Sequence, residues 1–238
     1  MSNLDDPSKP ARKAFDLTEA VEHLPELHQQ QFVKAVLRYH AVVSVSLDLK
    51  STHATLEAFH HQQKNRSDPY RSQIGAALLT SAVVTYARAT HTKAITRFKV
   101  GIEKCYSPEQ KLVHDSIVEL RNRCLAHFGP GEDRWHDERV IYLDSPLGIA
   151  VTSVHHRTNF DLDVIAGLSD LLETAIPYAR LLEAERASEL SIQIHLISTD
   201  ARDVVRAHEF DIAKFFNKSQ EAIKGFWRDT GFAEELQF

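Results

Sequence analysis

Cysteine is nearly absent from this chain of 238 residues, which has only Cys105 and Cys124. Two are too few for a disulfide framework; a reducing cytoplasm fits, with Cys124 a small buried thiol within a helix. Long apolar runs are lacking as well. The longest, "AALLTSAVV" at 76–84, is interrupted by Thr80 and Ser81 and is too short to cross a bilayer, so no membrane partner is expected. The opening "MSNLDDPSKPARKAFD" has none of the apolar core that a secretion signal needs, and neither secretion nor a transit peptide is indicated. Positive charge is in deficit, with 28 Lys and Arg against 33 Asp and Glu and a net charge of -5. No general field therefore draws the protein to nucleic acid, and any RNA contact must rest on a local basic cluster.

Glycine and proline are also sparse, at eight each. Together with frequent alanine, leucine and charged residues this favours a mainly α protein. The 43% of hydrophobic residues can build a proper core. With no repeat and no convincing linker, residues 1–238 read as a single domain.

After a loose leader of about a dozen residues, "DLTEAVEHL" (16–24) predicts a short helix capped at Asp16 and ended before Pro25. From Gln31 to Lys64 a long or once-broken helix is expected, with Phe32, Val36, Val43, Leu47, Leu56 and Phe59 inward. A second helix is predicted from Tyr70 to Lys93, with Ile74, Leu78, Val83 and Tyr86 toward the core and Arg71, Gln73 and Arg88 able to reach a surface. A third begins at Ser107, where "SPEQ" supplies cap, first-turn proline and N3 partner, and ends near Phe128 before Gly129-Pro130-Gly131. Its apolar stripe is Val113, Ile117, Leu120 and Cys124. The β-branched runs "RVIYLD" and "IAVTSVHH", flanking "SPLG", predict a hairpin at about 138–158. A long helix bent at Pro177 follows from Asp161 to about Ile197, then one helix from Thr199 or Asp200 to Asn217 and an aromatic tail. Four long helices with short connections suggest an up-and-down bundle with an accessory β-hairpin and additional C-terminal helices.

The chemistry concentrates in "ELRNRCLAHFGPG" (119–131). Cleaving RNA without a metal needs a group that titrates near neutrality and a cation for the charge that builds on phosphorane oxygens; histidine and arginine suit these tasks. His127 falls near the expected helix C-terminus, whose dipole should favour the imidazolium and so raise its pKa. Asn122 can orient phosphate or sugar. Glu119, Arg123 and His127 follow one another at i,i+4 spacing on one face. Arg121 and His127, however, stand about 9 Å apart along a straight helix and about 120° around it. They converge only if the guanidinium reaches around the helix or if two copies of it meet across a dimer axis. The same residues also suit a capping histidine and a solvated face.

The stretch "VHDSIVELRNRCLAHF" (113–128) resembles the signature helix of the HEPN superfamily, with Arg121, Asn122 and His127 on its Arg-polar-His pattern. The helix "AALLTSAVVTYARATH" (76–91) is similar to the one with a Tyr-Ala-Arg element that precedes this motif in many bacterial members. The resemblance covers about 30–130, leaving the hairpin and the C-terminal helices at about 161–238 outside it. It implies a HEPN-like four-helix bundle that dimerises, so that two motifs share a composite cleft. It also implies a metal-independent endoribonuclease with no cofactor, a toxin or phage-defence effector held in check by an antitoxin or other regulatory protein. In that scheme Arg121 polarises the phosphate, His127 is the acid or base and Asn122 assists, while Arg123, Tyr86 and Arg88 bind substrate. Other family members are catalytically silent scaffolds or RNA binders. Phe128 departs from the small polar residue common after the histidine, which implies a more closed or apolar cleft.

Other chemistries find little footing. His60-His61, His155-His156 and His136 lack a metal-ligand pattern and are expected at surfaces or interfaces. "GPGEDR" has the glycines but not the lysine of a phosphate-binding loop. No Ser/His/Asp set assembles around a nucleophile elbow. The competing class is a non-enzymatic helical interaction module in which Arg121 and His127 make structural hydrogen bonds.

Overall fold

The structure, a computed structural model, describes residues 13–24, 29–91, 99–125, 136–146, 148–157 and 161–228. The protein is mainly helical, with one two-stranded antiparallel sheet among the described residues. It divides into two compact units, residues 37–189 and residues 1–36 with 190–238, and the divisions fall inside two long helices.

The larger unit is built on α2 (Gln30–Lys64), α3 (Arg71–Thr90), α4 (Pro108–Leu120) and α5 (Leu162–Leu196), which with a 3-10 turn at Ile102–Cys105 enclose one core. In α2 the buried positions Val42, Val45, Leu49, Thr52, Leu56 and Phe59 alternate steps of three and four, a seven-residue repeat that keeps one stripe inward. The expected Val43 and Leu47 lie one or two positions off that stripe, and Leu47 is 43% exposed. A similar shift occurs in α3, where Leu79 is buried and Ile74 is 38% exposed, while Val83 and Tyr86 face inward as expected. Helices approach closely where side chains vanish: a Cβ on Gly167 of α5 would stand 2.7 Å from Val113 Cγ1 of α4. Arg186 of α5 is buried and donates to the Arg38 carbonyl of α2 at 3.0 Å, while Arg38 pairs with Glu189 at 2.9 Å. α5 runs through Pro177, an exposed position.

β1 (His136–Ser145) and β2 (Gly148–Arg157) form the hairpin, paired from His136↔Arg157 to Ser145↔Gly148. Gly148 has φ 126°, a left-handed conformation that a side chain would resist at the mouth of the turn.

The smaller unit starts with α1 (Leu17–Ala20) and a 3-10 turn at Val21–His23; Asp16 caps α1 by accepting from the Thr18 and Glu19 N–H groups. The single helix expected from 199 to 217 is broken into α6 (Thr199–Ala207) and α7 (Ile212–Phe215). The cause is a tertiary bridge. Asp16 donates to the His208 carbonyl and Phe210 to the Ala14 carbonyl, each at 2.9 Å, which draws this stretch out of helical geometry to pair Phe15 with Glu209. α8 (Gln220–Arg228) brings Phe226 against Phe210 and Phe216.

Candidate functional site

α4 starts where the sequence says it should. Ser107 accepts from the Gln110 N–H at 3.2 Å and the Gln110 side chain accepts from the Ser107 N–H at 3.1 Å, a closed capping box with Pro108 in the first turn. Its far end differs from a continuous α-helix. Residues Arg121–Leu125 form a π turn, with bonds reaching i+5, so the angular spacing of a regular α-helix does not apply across the Arg-Asn-Arg segment. Such turns concentrate at functional sites.

Within the turn, the half-buried Arg121 donates through Nη1 to Asn122 Oδ1 at 3.0 Å. Arg123 is exposed and pairs with Glu119 at 3.0 Å, the i,i+4 geometry expected from their spacing. His127 and the Gly-Pro-Gly segment lie outside the described residues.

Two further polar groups surround α4 and α3. Tyr86 has 0% exposure; its hydroxyl stands 3.0 Å from the Tyr106 hydroxyl and 2.8 Å from His114 Nδ1. A phenol carries one proton, so if Tyr86 donates to Tyr106 its oxygen accepts from the Nδ1–H of His114. Burial pushes both phenols far above their usual range and lowers His114, outweighing the opposing pull of Asp115 and Glu103, so the ring is neutral at pH 7. Tyr86 thus meets no solvent-borne ligand directly in this conformation; it ties α3 to α4 and to the segment that holds Tyr106. Arg88, also on α3, makes a two-point pair with Asp48 of α2 at 3.0 and 2.6 Å. Its side chain is 51% exposed and that of Asp48 12% exposed, so the guanidinium covers a nearly buried carboxylate while keeping one side toward water.

His114, Tyr106 and Asp48 were not singled out from the sequence. His114 had a legible signal: it lies three and four residues before Ile117 and Val118, on the buried face of the same helix. It also precedes Arg121 by seven residues, about two helical turns along the same face. Among the described residues no group of three or more His, Cys, Asp or Glu side chains is placed to hold a metal ion. No helix there is long and apolar enough to cross a membrane. No family model, curated protein or solved structure matches this chain.

Proposed function

We propose that this chain is a HEPN-type, metal-independent endoribonuclease whose site is built around Arg121, Asn122 and His127 and completed by a second copy in a homodimer. The observation that carries the reading is the π turn at 121–125. It lies on the same five residues that carry the Arg-Asn motif, and it orders Arg121 against Asn122 at the end of a helix braced by a buried histidine–tyrosine network. In this mechanism Arg121 donates to the non-bridging phosphate oxygens. The 2′ oxygen bonds to phosphorus as its proton leaves to a base, and the bond to the 5′ oxygen breaks as that oxygen takes a proton. His127 serves one of these transfers and its symmetry mate the other. Asn122 orients the phosphate, Arg123 and Arg88 attract the backbone, and Tyr86 positions the helix from inside. A nuclease of this type needs restraint in its own cytoplasm, which fits a toxin or phage-defence effector with an antitoxin partner.

The test is incubation of the full chain with total RNA in EDTA. Cleavage is expected, and Arg121→Ala and His127→Ala variants that keep their helical circular dichroism should lack it. A second reading has its own observation. Arg121, Arg123 and Arg88 each have a protein partner, in Asn122, Glu119 and Asp48, as they would in a catalytically silent RNA-binding or interaction module. RNA binding without cleavage, or cleavage that His127→Ala leaves unchanged, would select that module.

A further inference from the structure

The β1–β2 ribbon exposes apolar surface on both faces. By the strand register Val140, Tyr142, Ile149 and Val151 share one face, at 79%, 59%, 70% and 69% exposure. Leu143 and Val154 lie on the other, at 46% and 49%. A lone two-stranded ribbon is marginal in water and gains independent stability from a third strand or a packed partner. Among the described residues the sheet has no third strand, so there neither β1 nor β2 continues into a further ladder.

The two edges differ in chemistry. β1 carries Asp137, Glu138, Arg139 and Asp144, the charges by which proteins guard an open edge. From Ile149 to Val154, β2 reads Ile-Ala-Val-Thr-Ser-Val, rich in β-branched residues, with no charge and no proline. Nothing in that stretch discourages another strand.

We infer that the β2 edge is a self-association surface, where a second copy of this chain adds its own β2 in antiparallel register about a two-fold axis near Thr152. The product is a four-stranded sheet in the order β1, β2, β2 of the copy, β1 of the copy. A second copy fits because a two-fold axis normal to the sheet sets each strand against its own reverse, and β2 accepts this well. About Thr152, Val151 faces Ser153 of the copy, Ala150 faces Val154 and Ile149 faces His155, with no acidic residue in the ladder. The same operation on β1 about Ile141 would set Glu138 opposite Asp144, a like-charge pair. The pairing is isologous and closes at two copies. It rests on the ribonuclease reading only for its second copy, naming the contact that holds that homodimer, and is argued without RNA or Arg121.

The test is the solution mass of the full chain by light scattering on a sizing column, for the wild type and for Val151→Lys and Thr152→Lys. The wild type should run at twice the chain mass, and both variants at one chain mass with unchanged far-ultraviolet circular dichroism. Thr152→Cys supplies a readout independent of folding defects. Residues opposed across an antiparallel ladder have Cα atoms about 4.5–5.5 Å apart, within disulfide reach, so mild oxidation should give a linked dimer that the wild type, with its own two cysteines, does not form. A monomeric wild type, a dimer that both lysine variants preserve, or a Thr152→Cys chain that links no faster than wild type would overturn the inference. A monomeric wild type would sink the composite ribonuclease site as well, whereas a dimer that both lysine variants preserve, or a Thr152→Cys chain that links no faster than wild type, would sink the β2 contact alone.

Discussion

Replacing Tyr86 by phenylalanine removes one oxygen and leaves two buried groups, the Tyr106 hydroxyl and His114 Nδ1, without their common partner. The expected cost is about 1–3 kcal/mol in urea unfolding, the range for a buried polar group left unsatisfied. His114 adds a pH dependence whose sign follows from its lowered pKa. The unfolded chain takes up a proton near pH 6.5 while the folded ring resists it, so the stability this ring contributes is present above about pH 6.5 and is lost as the pH falls below it. His114→Asn keeps a donor near the Nδ1 position and does not titrate; its unfolding midpoint should fall less than the wild type's between pH 7.5 and pH 5.5. Equal acid sensitivity in the two would remove His114 as the cause. At Arg88 the pair with Asp48 sets the expectation. Arg88→Ala takes the two-point partner from a carboxylate on a residue that is 9% exposed and should cost roughly 1–3 kcal/mol, softened by the water that reaches the guanidinium side. Urea unfolding of the variant alongside Arg88→Lys separates the lost charge from the lost two-point geometry.

Elements were legible where their cause is local. The Ser107 box, the Asp16 cap and the β-branched runs around Gly148 each act within a few residues, and the structure places α4, α1 and the hairpin within one or two positions of the expected starts. What was not legible comes from across the chain. The break between α6 and α7 exists because residues 14–16 bond to 208–210, a pairing that no local pattern announces. In α2 the choice of Val42 and Val45 over Val43 and Leu47 is made by the helices packed against it, since either set fits helical spacing. The π turn carries no compositional mark at all: "RNRCL" is equally at home in an α-helix. Ser107→Ala should lower stability by about 1 kcal/mol by removing the cap. Gly167→Leu should do far more damage, because even its Cβ would meet Val113 at 2.7 Å. Thermal melts of the two variants should rank in that order.

At the level of the whole molecule, the helical class followed from composition, because scarce glycine and proline leave few places to interrupt a helix. The candidate site was legible only as a set of residue types. Its interior support, from His114 and Tyr106, depends on packing between elements distant in sequence, and the engagement of Arg88 by Asp48 spans forty residues. The negative net charge makes the remaining cations decisive. Binding that relies on a few local arginines should weaken with salt by a small slope, near the number of phosphates they meet, and a salt titration of RNA affinity reads that slope directly. The central claim is chemical, and one measurement meets it most directly: end-group analysis of a labelled RNA incubated in EDTA with the full wild-type chain and with folded His127→Ala. The account predicts fragments ending in a 2′,3′-cyclic phosphate with the wild type and intact RNA with the variant. Intact RNA with both proteins, or the same fragments from both, would contradict it.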